Sequence, residues 1–176
     1  MASAAVDRIE IGGERESDVP GIRSIHTDAF AGPIEAQLVD SLRTRDAYGP
    51  ALSVVARKEG EVVGHVLFYP LEFTAVESPI RALSLAPIAV RSDLQGQGIG
   101  SSLIHEALAR AWASKFDLIL VLGDPAYYGR FGFRAAMDCE ISAPYSGTGH
   151  AFQALAREKS LKCAGQAHYP PEFDGV

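Results

Sequence analysis

The spacing of hydrophobic positions changes several times along the chain and marks its strands. Residues 80–90 and 116–122 are apolar almost without interruption, which is typical of central strands covered on both faces. Residues 52–57 and 62–73 are rich in valine, leucine and aromatic side chains, and the polar turn Lys58-Glu59-Gly60-Glu61 between them predicts a hairpin. Weaker strand signals lie at residues 8–11, directly after Gly132, and at residues 151–156 and 161–169.

Apolar positions three and four residues apart predict helices between these strands. The first helix follows a start signal at Ser17 and Asp18, either of which is suited to cap it. The second covers residues 34–43, and the third carries an apolar stripe along residues 99–111. A short fourth helix has Asp124 as its N-cap, followed by proline at the first helical position. This order predicts an α/β (α+β) fold, in which a mixed sheet has helices on both faces.

Composition limits the classes of protein that this chain can represent. Its 176 residues, 47% of them apolar, fit one folded domain over residues 1–176, in which we expect residues 1–7 to be flexible. A net charge of −6 argues against a nucleic-acid partner. No apolar run reaches the roughly 18 residues that a membrane span needs. Cys139 and Cys163 lack CxxC spacing, which favours reduced thiols in a cytoplasmic protein, and the five histidines show no metal-ligand spacing.

A glycine-rich turn joins the strand at residues 80–90 to the third helix. Gly96, Gly98 and Gly100 stand where a strand runs into a helix N-terminus, an arrangement that holds phosphate groups on free N–H groups. The spacing GxGxG differs from the GxGxxG of dinucleotide-binding folds, and the turn lacks the lysine of a P-loop. The turn therefore predicts a site for a pyrophosphate-bearing cofactor. The alternative is that the three glycines only shape a tight connection.

Two motifs at the appropriate separation resemble those of the GNAT superfamily of acyl-CoA N-acyltransferases. Gln95-x-x-Gly98-x-Gly100 has the Q/R-x-x-G-x-G/A form of motif A in that family. The second motif places Tyr128 on a short helix, five residues before the phenylalanine of Gly132-Phe133. The segments GDPAYYGRFGF and HYPPEF are similar to a bacterial subgroup whose substrates are mostly unassigned. The resemblance extends from about residue 9 to residue 173.

This resemblance implies a mainly antiparallel sheet of about six or seven strands with a splayed central parallel pair. Acetyl-CoA would lie between the diverging strands at residues 80–90 and 116–122, and Pro87, which lacks an N–H, fits an irregular backbone there. No metal is implied. The expected cofactor-binding residues are Ile88, Ala89, Val90, Gln95, Gly96, Gln97, Gly98, Ile99, Gly100 and Ser101.

The resemblance also implies roles in the chemistry. The N–H of Val90 would stabilise the oxyanion, and Tyr128 would protonate the leaving thiolate. The neighbouring Tyr127 points about 100° away on the helix, so we expect it to pack in the core. The general base is left open: Ser84 stands where some family members have glutamate, and Glu72 acting through water, or a chain of waters, is the alternative.

The sequence thus predicts an enzyme that transfers an acetyl group from acetyl-CoA directly to a primary amine in a ternary complex. The amine would belong to a small molecule or a protein, and the resemblance is compatible with a homodimer, which is common among such proteins. The alternative is a non-catalytic module that binds or senses acyl-CoA.

Overall fold

A computed structural model describes residues 8–175 of the chain, so the expectation for residues 1–7 lies outside the described residues. The described residues form nine β-strands and four α-helices, with short 3-10 turns between them. The strands are β1 (Ile9–Gly13), β2 (Ser53–Lys58), β3 (Glu61–Ala75), β4 (Ala82–Val90), β5 (Leu118–Leu122), β6 (Arg134–Ala135), β7 (Ile141–Ser142), β8 (Phe152–Ala156) and β9 (Gly165–His168). The α-helices are α1 (Val19–Ala29), α2 (Ile34–Arg43), α3 (Ile99–Ala113) and α4 (Pro125–Tyr128).

The strands form one sheet whose main path has the order β1-β2-β3-β4-β5-β8-β6. Neighbours on this path are antiparallel except for the central pair β4 and β5, which is parallel. The long strand β3 continues past β4, and its last four residues pair with β9, which in turn pairs with β7. The predicted mainly antiparallel sheet with a central parallel pair is confirmed.

Helices cover both faces of the sheet, as the hydrophobic pattern predicts. Helix α3 buries Leu103, Ile104 and Ala107 against alternate residues of β2, β3 and β4. Helices α1 and α2 cover the opposite face, where Ile22 and Leu42 are almost fully buried. Because strand side chains alternate between faces, the two helical layers use different residues of the same strands.

Strand β4 is irregular at Pro87, as expected for a proline in a central strand. On β3, Val66 lies opposite Ile88, whereas Phe68 lies opposite Leu85. Leu67 therefore faces two residues of β4 instead of one, which is a β-bulge, and the peptide bond between Ala86 and Pro87 is cis. The bulge lies immediately beyond the last residue of β4 that pairs with β5.

Asp18, one of the two predicted start signals, is the N-cap residue of α1 and follows a 3-10 turn over Glu16–Asp18. Its side chain makes no cap hydrogen bond, because the carboxylate accepts the N–H of Arg15 and pairs with buried Arg57. One predicted detail of the fold is wrong. The strand predicted at residues 161–169 is shorter, because only Gly165–His168 meets the end of β3.

Candidate active site

The candidate site lies in the gap where β4 and β5 diverge. The two strands pair only from Ala82 to Leu85 on β4, so the rest of β4 has β3 on one side and the gap on the other. The N–H of Arg91 points to β3, where it donates to the carbonyl oxygen of Val63 at 2.9 Å. Since successive peptide groups of a strand alternate in direction, the N–H and carbonyl of Val90 face the gap. The Val90 carbonyl accepts a hydrogen bond from Gln95 Nε2 at 3.0 Å, which joins the strand end to the glycine turn.

The glycine turn presents unpaired N–H groups at the start of α3. Gly96 and Gly98 have φ angles of 76° and 84°, in the left-handed region that side chains disfavour. The first helical hydrogen bond runs from the N–H of Ser102 to the carbonyl of Gly98 at 3.0 Å. The N–H groups of residues 99–101 have no hydrogen-bond partner within residues 8–175. They are therefore free to bind an anion, and the helix dipole favours one there.

A cavity of about 460 Å³, here called the glycine-turn cavity, opens over these N–H groups. Nine of the ten predicted cofactor-binding residues line it. The exception is Gln97, whose Nε2 donates to the carbonyl oxygen of Asp93 at 3.4 Å. The lining residues are Ile88, Ala89, Val90, Leu94, Gln95, Gly96, Gly98, Ile99, Gly100, Ser101, Tyr127 and Arg130.

Three residues of this cavity, Leu94, Tyr127 and Arg130, were not predicted to lie there. The Tyr127 hydroxyl reaches the start of α3, 2.8 Å from the point where a Cβ would stand on Gly100. Arg130 holds its guanidinium 4.5 Å from the centre of the Tyr127 ring and donates through Nε to the Tyr127 carbonyl at 3.2 Å. Tyr127 also packs against the core, as predicted, so it has both roles. Arg130 is the only cationic side chain among the described residues that line this cavity.

A second cavity of about 460 Å³, here called the aromatic cavity, lies on the other side of the gap and meets the first at Ile88. Ile88, which lies beyond the last residue of β4 that pairs with β5, therefore forms part of the wall of both cavities. The residues of the aromatic cavity come from the α1–α2 connection, β4, the end of β5 with α4, and the C-terminal segment. They are Phe30, Glu35, Ser84, Leu85, Ala86, Pro87, Ile88, Leu122, Gly123, Asp124, Tyr128, Tyr145, Tyr169 and Phe173.

Tyr128 is held in the aromatic cavity between two other rings. Its ring meets those of Tyr127 and Phe133 edge-on, with centroid distances of 5.1 and 5.8 Å. The side chain is nearly buried, and this burial raises the pKa of Tyr128 above its usual value of about 10. None of the described residues hydrogen-bonds its hydroxyl. The hydroxyl is therefore protonated at neutral pH and available to donate.

The candidate bases lie in different places. Glu72 is exposed on β3 opposite His168 and lines neither cavity, so it does not face the gap. Ser84 is buried in the wall of the aromatic cavity, where it interacts with the Tyr169 hydroxyl. Asp124 caps α4 as predicted, because its Oδ1 accepts the N–H of Ala126 at 2.8 Å.

Other kinds of site receive no support from the described chain. Residues 8–175 contain no cluster of three or more histidine, cysteine or acidic side chains placed to hold a metal ion. Both cysteines are free thiols, and neither lines one of the two cavities. No helix in that same part of the chain has the length and apolar character needed to cross a membrane.

Comparison with known proteins identifies the class to which this fold and gap belong. The sequence model of the acetyltransferase (GNAT) family matches residues 19–133, which include the glycine turn and Tyr128. The chain belongs to the GNAT family. It is an acyl-CoA-dependent N-acetyltransferase, and acetyl-CoA is its acyl donor.

Three relatives show how far this similarity extends. The uncharacterised N-acetyltransferase YjhQ of Escherichia coli K12 is 40% identical over 132 residues, which cover 74% of this chain and 72% of YjhQ. The crystal structure of the E. coli GNAT protein YhbS in complex with CoA has a TM-score of 0.87 at 30% identity, covering 98% of this chain and 96% of YhbS. A GNAT acetyltransferase from Brucella melitensis in complex with acetyl-CoA has a TM-score of 0.76 at 32% identity, covering 96% of this chain and 100% of its own.

Proposed function

We propose that the protein transfers the acetyl group of acetyl-CoA directly to a primary amine while both substrates are bound. The observation that carries this proposal is the meeting of two cavities at Ile88, in the gap between β4 and β5. One cavity presents free N–H groups for a phosphate, and the other contains Tyr128. A thioester bound through the first would reach an amine held in the second without leaving the gap.

The glycine-turn cavity holds the cofactor in this proposal. The pyrophosphate sits on the N–H groups of the turn and the first turn of α3, and Arg130 adds the positive charge. The pantetheine arm lies along the open side of β4, where it pairs with Ile88 and the carbonyl of Val90 as an additional strand would, which leaves the Val90 N–H for the thioester. In the proposed complex, the side chain of Gln95 fixes the end of the strand relative to the turn.

The chemistry then requires three groups. The amine nitrogen attacks the thioester carbonyl, and the N–H of Val90, which faces the gap, stabilises the oxyanion. The C–S bond breaks, and Tyr128 donates a proton to the departing sulfur. The nitrogen releases a proton as the amide forms, so protons balance, and Tyr128 regains its own from that source. Direct transfer fits the absence of both cysteines from the two cavities, since a cysteine nucleophile would have to line one of them.

We assign the removal of the ammonium proton to water. A primary amine with a pKa of about 10.4 is mostly protonated in solution at pH 7. We do not assign this role to Glu72, which lines neither cavity, or to Ser84, whose hydroxyl is too weak a base. The free thiols and the dependence on acetyl-CoA also support a cytoplasmic location.

Two measurements test the proposal. Isothermal titration should show one acetyl-CoA site, and no binding at about 1 mM, near the upper end of ordinary KM values, would contradict it. Initial rates of thiol release with both substrates varied should give intersecting double-reciprocal lines, as a ternary complex requires. Parallel lines would instead indicate a covalent acyl-enzyme.

A further inference from the structure

We infer that the acceptor is a small primary amine with an apolar body and no negative charge. This inference deepens the proposed function and rests on it, because it assigns the aromatic cavity to the acceptor. It is drawn from the shape and the charge of that cavity.

Five aromatic rings line the cavity. Tyr145, Tyr169 and Phe173 pack edge to face, with centroid distances of 4.9 Å and 5.2 Å between successive rings. Tyr128 and Phe30 contribute two further rings to the lining. Such walls bind apolar groups through their area, and their faces attract an ammonium group.

The charged side chains in the wall have a single sign. Glu35 and Asp124 are acidic, and no lysine, arginine or histidine is among the described residues that line the cavity. No described residue hydrogen-bonds or pairs with the Glu35 carboxylate, so it is available to an incoming ammonium group. The nearby Arg45 is paired with Glu172 at 2.7 Å and is not part of the wall. A carboxylate or phosphate on the acceptor would therefore be desolvated without a partner.

The size and rim of the cavity fit a small molecule. Its volume of about 460 Å³ lies in the lower part of the range of about 300–1,000 Å³ that small-molecule sites occupy. Phe30 and Leu122, each 43% exposed, give the entrance apolar edges. An amine with an aryl or branched alkyl body would bury that body on the rings and place its nitrogen near Tyr128.

A matched pair of amines tests the charge rule. Phenylethylamine and phenylalanine share a primary amine and a phenyl ring, but phenylalanine also carries a carboxylate. We expect kcat/KM for phenylethylamine to exceed that for phenylalanine by at least about 100-fold, the effect of burying an unpaired charge. A peptide with an N-terminal phenylalanine represents a protein acceptor in this comparison, and it should be acetylated more slowly than phenylethylamine. Equal rates with phenylalanine, or faster rates with the peptide, would overturn the inference.

Two surface variants test the wall itself. Phe30→Ala and Glu35→Gln should each raise KM for phenylethylamine by about 2- to 5-fold, with acetyl-CoA affinity unchanged. Met137→Ala and Glu158→Gln are matched controls, since both residues are exposed and line neither cavity. An unchanged KM in both wall variants would remove the aromatic cavity from acceptor binding.

The outcomes separate this inference from the proposal on which it rests. Loss of acetyl-CoA binding in the titration would remove the proposed function and the inference together. Acetyl-CoA binding with turnover only of anionic or highly polar amines would overturn the inference and leave the proposed function in place. Acetyl-CoA binding with no turnover of any of the three amines would also overturn the inference.

Discussion

The ring of Tyr128 lies directly on the backbone of Gly123, at the point where β5 ends. A Cβ built on Gly123 would stand 3.0 Å from Tyr128 Cδ2 and closer still to Cε2, which is nearer than real Cβ atoms approach other side chains. The residue that follows β5 thus has no side chain where the tyrosine of α4 enters the gap. The same relationship recurs next to it, where Tyr127 closes on Gly100.

We predict that Gly123→Ala displaces Tyr128 and slows catalysis. The added methyl group forces the ring out of the gap, and a misplacement of about 1 Å costs up to about 100-fold in rate. We expect kcat to fall by at least about 10-fold, within the loss that such a misplacement allows. The affinity for acetyl-CoA should stay within about 3-fold of that of the parent protein. Gly147→Ala is the matched control, because a Cβ there would meet nothing within 4 Å. Equal kcat values for the two variants would show that Tyr128 can move without consequence.

Removing only the hydroxyl provides a second prediction. Tyr128→Phe keeps the ring in contact with Phe133 but removes the proton donor. We expect turnover to fall by about 10- to 1000-fold, within or below the usual contribution of a general acid, because a thiolate of pKa about 8.5 is already a fair leaving group. Steady-state rates give kcat, and isothermal titration should show little change in acetyl-CoA affinity. Tyr127→Phe is the comparison: its hydroxyl lies in the other cavity, so it should alter acetyl-CoA affinity instead.

The sequence predicted best those features that local chain geometry determines. Gly96 and Gly98 adopt positive φ angles, and Asp124 caps the helix that follows it, so both signals are contained in a few consecutive residues. Pro87 also marked the bulge correctly, since it lacks the N–H that a regular strand requires. The fold followed from the order and length of the apolar runs.

Features that depend on distant segments left no comparable signal. Arg130 reaches the glycine turn only because the segment that carries it and Tyr127 packs against the start of α3 at Gly100, and no local pattern encodes that approach. The aromatic cavity combines Phe30 with Tyr145 and Phe173, which lie more than 100 residues further along the chain. The length of β9 was overestimated because it is set by where β3 ends, which its own composition does not reveal.

The glycine turn allows a third prediction. Gly98→Val places a branched side chain at a φ of 84°, and Gly100→Val pushes into the Tyr127 hydroxyl. Both changes obstruct the N–H groups at the start of α3, so acetyl-CoA binding should be lost in isothermal titration. Circular dichroism should show that the sheet is largely retained. Gly147→Val is the control and should keep its affinity, whereas normal binding by both turn variants would exclude this turn as the phosphate site.

Arg130 supplies a fourth prediction. If its guanidinium neutralises a cofactor phosphate, Arg130→Gln should weaken acetyl-CoA binding by about 10-fold, as for a hydrogen bond to a charged group. S-acetylpantetheine lacks the nucleotide and its pyrophosphate, so its KM should not respond to this change. The control is Arg157→Gln, because Arg157 is exposed and lines neither cavity. An equal loss with both acyl donors would assign Arg130 to packing on Tyr127 rather than to phosphate binding.

A buried polar chain links α1 to the sheet on the face opposite α3. His26 Nε2 lies 2.8 Å from His65 Nδ1, and His65 Nε2 lies 2.8 Å from Ser53 Oγ. Ser53 in turn donates to the Glu14 carboxylate, which also accepts from Arg43 Nε at 2.8 Å.

Burial, with the charge of Arg43 as a smaller cause, lowers the pKa of His26 to about 4. Burial also lowers the pKa of His65 well below its usual value, and the charges of His26 and Arg43 lower it further. Both histidines are therefore neutral in the folded protein.

We predict that this pair makes the protein less stable in mild acid. Below pH 6.5 the unfolded chain binds protons on both histidines, whereas the folded chain does not until the pH approaches the lowered values. The free energy of unfolding should thus have its full value above pH 6.5. Below that pH it should fall by about 1.4 kcal/mol per pH unit for each histidine. Urea unfolding at pH 7.5 and 5.5 measures this loss while carboxylates stay ionised in both states. His26→Leu should reduce the slope, and exposed His105→Asn should leave it unchanged. Equal stability of the parent protein at the two pH values would contradict the neutral pair.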